Sequence, residues 1–226
     1  MSDDRHQVLS NIRASLQRAH LPDARANVPA RAIAGQGTPE EMIASFEREL
    51  EPLGATSRRA HNDTEAIELV LKWLGESGGN EVLTWGDADL PVRGLGEALR
   101  AAGYTRLEVQ VPPDDAGRKA KLAELERATA GITSAYGALA DSGSLVLLAG
   151  PTRSRLASLL PPTHIALLPA SRLYADMAAL FAAHPDLTRD ASNLVFVTGP
   201  SRTADIELTL TRGVHGPKYL HVLVLE

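Results

Sequence analysis

The chain has 226 residues, 44% hydrophobic and 23% charged, with 18 Gly, 14 Pro and no Cys, a composition that fits one large or two small globular domains and argues against disorder as the main state. Without a thiol it can build no disulfide, no zinc–thiolate site and no cysteine-ligated iron–sulfur cluster. Its formal charge of −5 gives no overall attraction for phosphate backbones, so nucleic acid is not an expected partner.

Val8, Ile12 and Leu16 recur every four residues with Leu9 beside them, predicting an amphipathic helix over residues 3–19 that packs or docks onto a partner rather than catalyses. This segment is charged and lacks the apolar core of a signal peptide. Apolar runs such as Leu145–Ala149 are far shorter than the roughly 20 residues of a membrane helix. The expectation is a cytoplasmic protein with no membrane span. Pro22, Pro29, Gly35 and Gly37 stand among small residues without periodicity, so residues 1–37 read as a helix and linker arm, and residues 38–226 as the main domain.

Thr38-Pro39-Glu40-Glu41 combines an N-cap, a first-turn proline and a glutamate three residues after the cap, ahead of Met42, Ile43, Phe46 and Leu50. Gly54 can end that helix in the left-handed conformation. An extended piece over 55–60 and a helix carrying Ile67, Val70, Leu71 and Leu74 follow. Residues 81–85 and 106–111 are strand-like, with helical stretches over 94–102 and 118–128. Four tighter apolar runs come next, at 144–148, 165–168, 193–197 and 219–225, separated by helix-like stretches over 153–160, 173–183 and 203–211. Continuous apolar runs fit strands covered on both faces. The expected fold is α/β, a mainly parallel sheet flanked by helices.

Open α/β sheets bind ligands beyond the carboxyl ends of their strands, which directs attention to four loops. In Thr198–Glu207, Gly199 allows close backbone approach, Ser201 and Thr203 offer hydroxyls, Arg202 can grip an anion, and a helix start would present free amides. The plain alternative is helix capping, with Asp205 and Glu207 in the first turn. In Ala140–Ser144, Asp141 beside Ser142, Gly143 and Ser144 could act as a general base, or the four residues are an ordinary turn. Arg155, with Arg153 and the Pro161-Pro-Thr-His164 string, suits a small organic acid, or is an exposed cation. In Gly213–Pro217, His215 beside Gly216 is free to act as acid or base. No metal is expected, because Asp205 and Glu207 would diverge on a helix. His221 reads as a strand residue with a satisfied ring. No phosphate-binding glycine loop, dinucleotide fingerprint, zinc-protease helix or nucleophile elbow is present. The loops around 141–144, 199–205 and 213–217 are expected to converge on one pocket.

Taken together, Ala140-Asp-Ser-Gly-Ser144, Arg155, Pro161-Pro-Thr-His164, Thr198-Gly-Pro-Ser-Arg-Thr-Ala-Asp-Ile-Glu207 and Gly213-Val-His-Gly-Pro217 resemble the LUD-domain family, in its lactate utilisation protein C (LutC/YkgG) branch, over residues 38–226. The resemblance implies a fold of the NagB/RpiA/CoA-transferase-like group, close to formyltetrahydrofolate cyclo-ligase, and a role in oxidising L-lactate to pyruvate with iron–sulfur oxidoreductase partners. The family pattern often has Glu where Asp141 stands, so this chain carries the shorter arm. Since the chain has no cysteine, it implies iron–sulfur clusters in partner proteins and no cofactor here. Asp141, Asp205 and His215 are then the catalytic candidates, and Ser142, Gly143, Ser144, Arg155, Gly199, Ser201, Arg202, Thr203 and Gly216 the candidates for holding an organic acid or related anion. Three readings stay open: a substrate-binding subunit of a lactate-oxidising system, a stand-alone enzyme on a phosphorylated or CoA-linked metabolite, and a non-catalytic scaffold docking through the N-terminal helix.

Overall fold

The structure is a computed structural model describing residues 2–18, 37–189, 191–204 and 210–226, with the backbone alone at residues 2, 3, 203, 204 and 210–212. The chain divides into two units, Met1–Ile33 and Ala34–Glu226. The first carries helix α1 (Ser2–Arg18), whose Val8, Leu9, Ile12 and Leu16 are all exposed.

In the second unit, α2 (Pro39–Leu50) starts at a full capping box. The Thr38 hydroxyl accepts from the Glu41 amide at 3.3 Å, and the Glu41 carboxylate accepts from the Thr38 amide at 2.7 Å, an arrangement worth about 1 kcal/mol. A tight turn over Glu51–Leu53 and Gly54, at φ 77°, lead into β1 (Thr56–Ala60). The chain continues through α3 (Asp63–Ser77), β2 (Glu81–Thr84), α4 (Leu95–Ala101), β3 (Thr105–Leu107), α5 (Asp115–Leu125), β4 (Ala130–Ser134), β5 (Gly137–Leu139) and β6 (Ser144–Ala149). It ends with α6 (Leu156–Leu159), β7 (Thr163–Pro169), β8 (Leu173–Tyr174), α7 (Met177–Ala183), β9 (Asn193–Val197), β10 (Arg202–Ala204), β11 (Leu210–Arg212) and β12 (Tyr219–Leu225).

Six strands form a parallel sheet in the order β1-β12-β7-β4-β2-β3. Such a sheet needs cover on both faces. On one face Ile132, Ile165, Leu167 and Leu223 meet Trp73 and Leu74 of α3 and Leu99 of α4. On the other, Ala166, Leu168, Leu220, Val222 and Val224 pack against Phe46 of α2 and Leu145 and Leu147 of β6. The second cover is itself a sheet, ordered β8-β5-β6-β9, with β6 antiparallel to both of its neighbours. Residues 135 and 136 carry the chain from one sheet to the other. Ala135 still donates to Leu167 of β7, whereas Tyr136 donates to Val146 of β6, each at 2.8 Å.

The α/β class and the parallel sheet expected from the sequence are present, but two of the four apolar runs, at 144–148 and 193–197, belong to the second sheet. The helix expected over 203–211 is absent from its described residues: Arg202–Ala204 pairs antiparallel with Leu210–Arg212. Ile206, Leu208 and Leu210 recur every second residue, a strand period rather than a helical one. The helix expected over 173–183 begins only at Met177, where Asp176 caps it by accepting from the Ala179 amide at 2.7 Å. That expected over 153–160 shortens to Leu156–Leu159. No described helix is long and apolar enough to cross a membrane.

Candidate functional site

After β2 the chain adds β3 on one side and β4 on the other, so the strand order reverses between β2 and β4. That reversal opens a crevice at the carboxyl ends of the strands. A cleft of about 200 Å³ lies there, lined by Trp85 just after β2, Ser134 closing β4, Tyr136, Pro169 closing β7, and Asp89, Arg153 and Arg172. The Trp85 indole is fixed by donating to the Ser154 carbonyl at 3.0 Å. Arg172 lies over the Tyr136 ring, 5.2 Å from its centre, a favourable placement for a cation. Arg153 is held less tightly. Its Nε is 3.9 Å from the Asp89 carboxylate and is buried with no hydrogen-bond partner among the described residues. An uncompensated guanidinium N–H is costly unless an acceptor reaches it. Two guanidinium groups and two hydroxyls around one small hollow suit a carboxylate with a neighbouring oxygen.

Of the candidates from sequence, Asp141–Ser144, Gly199, Ser201, Arg202, His215 and Gly216 lie at the opposite end of the parallel sheet. Lys218 and Tyr219, entering β12, donate to Pro162, just before β7, which marks the amino ends of both strands. Ser201 donates to Pro217 at 2.8 Å, Gly213 donates to Ser201 at 3.0 Å, and the His215 amide reaches the Ser201 hydroxyl at 3.4 Å. A Cβ on Gly216 would lie 3.4 Å from Ser201 Cβ. The Ser142 hydroxyl donates to that of Ser144 at 3.0 Å, and Ser144 pairs with Thr198 at 2.6 Å. Gly143 (φ 64°) and Gly199 (φ 92°) need the left-handed conformation, and a Cβ would lie 3.0 Å from Leu50 at the end of α2 for the first and 3.0 Å from Leu53 in the turn after it for the second. Arg202 reaches the Pro52 carbonyl at 3.4 Å. These bonds draw the three loops together, with their polar groups engaged on one another. Asp141 and His215 are exposed side chains beside them. With a strand at Arg202–Ala204, the helix start whose free amides would meet an anion is not formed at those residues. Asp205 lies outside the described residues, as does the Thr203 side chain. Arg155 is exposed, and its carbonyl accepts from Ser158 at the start of α6. It is Arg153, two residues earlier, that enters the cleft.

Two histidines sit within the sheet. His164 is fully buried with Nε2 2.9 Å from the Thr133 hydroxyl. Burial, reinforced by His221, pushes its pKa down to about 4. The His221 ring stacks on Trp73 at 4.9 Å. Burial lowers its pKa, partly opposed by Glu76. The satisfied ring expected for His221 is stacked instead, and its Nδ1 has no hydrogen-bond partner among the described residues. Neither histidine lines the cleft. Among the described residues no three His, Asp or Glu side chains are grouped as metal ligands.

The profile of the LUD domain matches residues 43–225. The chain belongs to the LUD-domain family. Its relatives place it in the lactate utilisation protein C branch. A "Lactate utilization protein C" from Geobacillus sp. (strain WCH70) is 34% identical over 189 residues, 78% of each chain. Another from Macrococcus caseolyticus is 31% identical over 233 residues, covering 96% of this chain and 94% of that protein. The crystal structure of a DUF162 family protein from Deinococcus radiodurans matches with a TM-score of 0.62 at 23% identity, over 84% of this chain and all of that one. It shares the fold of this LUD-domain protein.

Proposed function

We propose that this LUD-domain protein serves lactate utilisation by binding a small 2-hydroxy or 2-oxo acid in the cleft at the carboxyl ends of β2, β4 and β7, with the redox centres on iron–sulfur partner chains. Relatives that are lactate utilisation C proteins support the system, and a chain without cysteine has no thiolate for a cluster of its own. The observation that carries the site is Arg153 beside Arg172, Ser134 and Tyr136, with a buried guanidinium nitrogen lacking an acceptor. One guanidinium pairs with the carboxylate, and the hydroxyls meet the oxygen on the second carbon. Isothermal titration of the full chain with L-lactate and pyruvate tests this. Saturable binding is expected. Arg172→Ala should weaken it at least tenfold, about 1.4 kcal/mol, and Arg202→Ala should leave it unchanged. The reverse pattern would move the site to the amino-end loops of Asp141, Ser201 and His215. Turnover by the isolated chain would favour the stand-alone enzyme.

One observation favours a second reading, assembly through α1: Val8, Ile12 and Leu16 lie on one face of that helix and are about half exposed, at 49–58%. An Ile12→Asp chain that binds acid normally but no longer co-assembles with purified iron–sulfur subunits would support it.

A further inference from the structure

Beside the cleft lies a second hollow, of about 370 Å³, which shares Tyr136, Leu148 and Arg153 with it and is lined on its far side by His184 and the Pro185–Leu187 turn. L-lactate has a single carboxylate and three carbons, too short a molecule to occupy both. The far hollow is chemically equipped. The Tyr174 hydroxyl holds His184 Nε2 at 2.6 Å, and the rings of Tyr136 and Tyr174 meet the imidazole edge-on at 5.3 and 5.6 Å. Tyr136 therefore has Arg172 over its ring on one side and His184 against it on the other. The acidic group in the far hollow, Asp186, is paired with Arg189 at 2.7 Å, which offsets its repulsion of an incoming anion. Arg153 lines both hollows with its Nε lacking a partner among the described residues.

Resting on the acid-binding role of the cleft argued above, we propose that the two hollows form one bipartite site for an elongated organic dianion, with one acidic group between Arg153 and Arg172 and the second against the His184–Tyr174 pair. A dicarboxylate and a phosphorylated carboxylic acid share this chemistry. His184 sets ligand length, and Tyr174 is a positioning residue acting through it.

Titration of the full chain with acetate, L-lactate, malonate, succinate, glutarate and phosphoglycolate tests the proposal, each repeated on His184→Gln and Tyr174→Phe chains whose folding is checked by thermal melting. At least one dianion should bind ten or more times tighter than L-lactate. The position of the optimum, within the carboxylate series or at phosphoglycolate, tells the two sources apart. His184→Gln should remove that advantage while leaving L-lactate within twofold, and Tyr174→Phe should reduce the advantage about threefold. Should L-lactate equal every dianion, or both variants retain the dianion preference, the bipartite site is wrong while acid binding in the first hollow stands. Should no acid bind, both readings fall.

Discussion

The two ends of the parallel sheet carry similar residues in different states of pairing. At the amino end, Ser142, Ser144, Thr198, Ser201 and Arg202 bond to one another or to backbone, and Gly143 and Gly199 let the loops lie against α2. At the carboxyl end, Ser134, Tyr136, Arg153 and Arg172 surround a hollow; Ser134 donates to the Ala135 carbonyl at 3.4 Å, while a nitrogen of Arg153, 3.9 Å from the Asp89 carboxylate, has no hydrogen-bond acceptor among the described residues. A dense motif therefore does not distinguish a ligand site from a tightly built junction, because both demand particular residues at particular places. A buried polar nitrogen without a partner is the mark that favours the carboxyl end.

If that division is right, substitutions near the amino end should cost stability without touching acid affinity, and cleft substitutions the reverse. The largest effect is expected at Gly131 in β4, where an added Cβ would collide with the Ala157 carbonyl of α6. Gly131→Ala should lose about 3 kcal/mol or more, or fail to fold, whereas Arg172→Ala, on an exposed residue, should change the unfolding free energy by under about 0.5 kcal/mol. Equal losses would break the comparison. Next comes His164, with a pKa of about 4 against 6.5 for a free imidazole. Between those values the unfolded chain takes up the proton that the folded chain refuses. The stabilisation is complete above pH 6.5 and is lost as pH falls toward 4, by roughly 3 kcal/mol in all. Urea melts at pH 7.5 and 4.5 should show His164→Gln with a shallower acid loss than the parent chain. An unchanged slope would remove His164 as its source. The smallest effect is expected at Ser144→Ala, which cuts the link to Ser142 and Thr198 and should cost about 1 kcal/mol with L-lactate affinity intact. A loss of affinity there would bring the amino-end loops into the site.

Much of the fold was legible because its signals are local. Thr38 and Glu41 announce α2, and the strands β7 and β12 carry the apolar runs Ile165–Leu168 and Val222–Leu225. The second sheet was not, since β5 and β8 have only three and two residues, too few for a periodicity. Strand direction is also invisible in a pattern. From sequence the loop after Val197 reads as a carboxyl-end loop, but β9 runs antiparallel to β6 in the other sheet and delivers Thr198 to the amino end. The cleft escaped for a related reason. Trp85, Ser134, Arg153 and Arg172 come from four separate stretches, and Arg172 sits at a predicted helix start. Arg153 and Arg155 differ by two residues, and nothing short of the turn at Gly150–Arg153, which pairs those two residues through mutual backbone bonds of 3.1 Å, decides which one turns inward.

The passage of the chain from β4 into β5 has a mechanical consequence. Because Ala135 is still bonded to β7 while Tyr136 is already bonded to β6, the Ser134–Tyr136 side of the cleft is tied into two sheets. Moving that segment would tear main-chain bonds in both at once, so any adjustment of the cleft falls to the loops and turns that carry Asp89, Arg153 and Arg172. On the binding proposed above, the tied segment loses little backbone entropy when an acid enters, and its backbone should superpose closely with and without one.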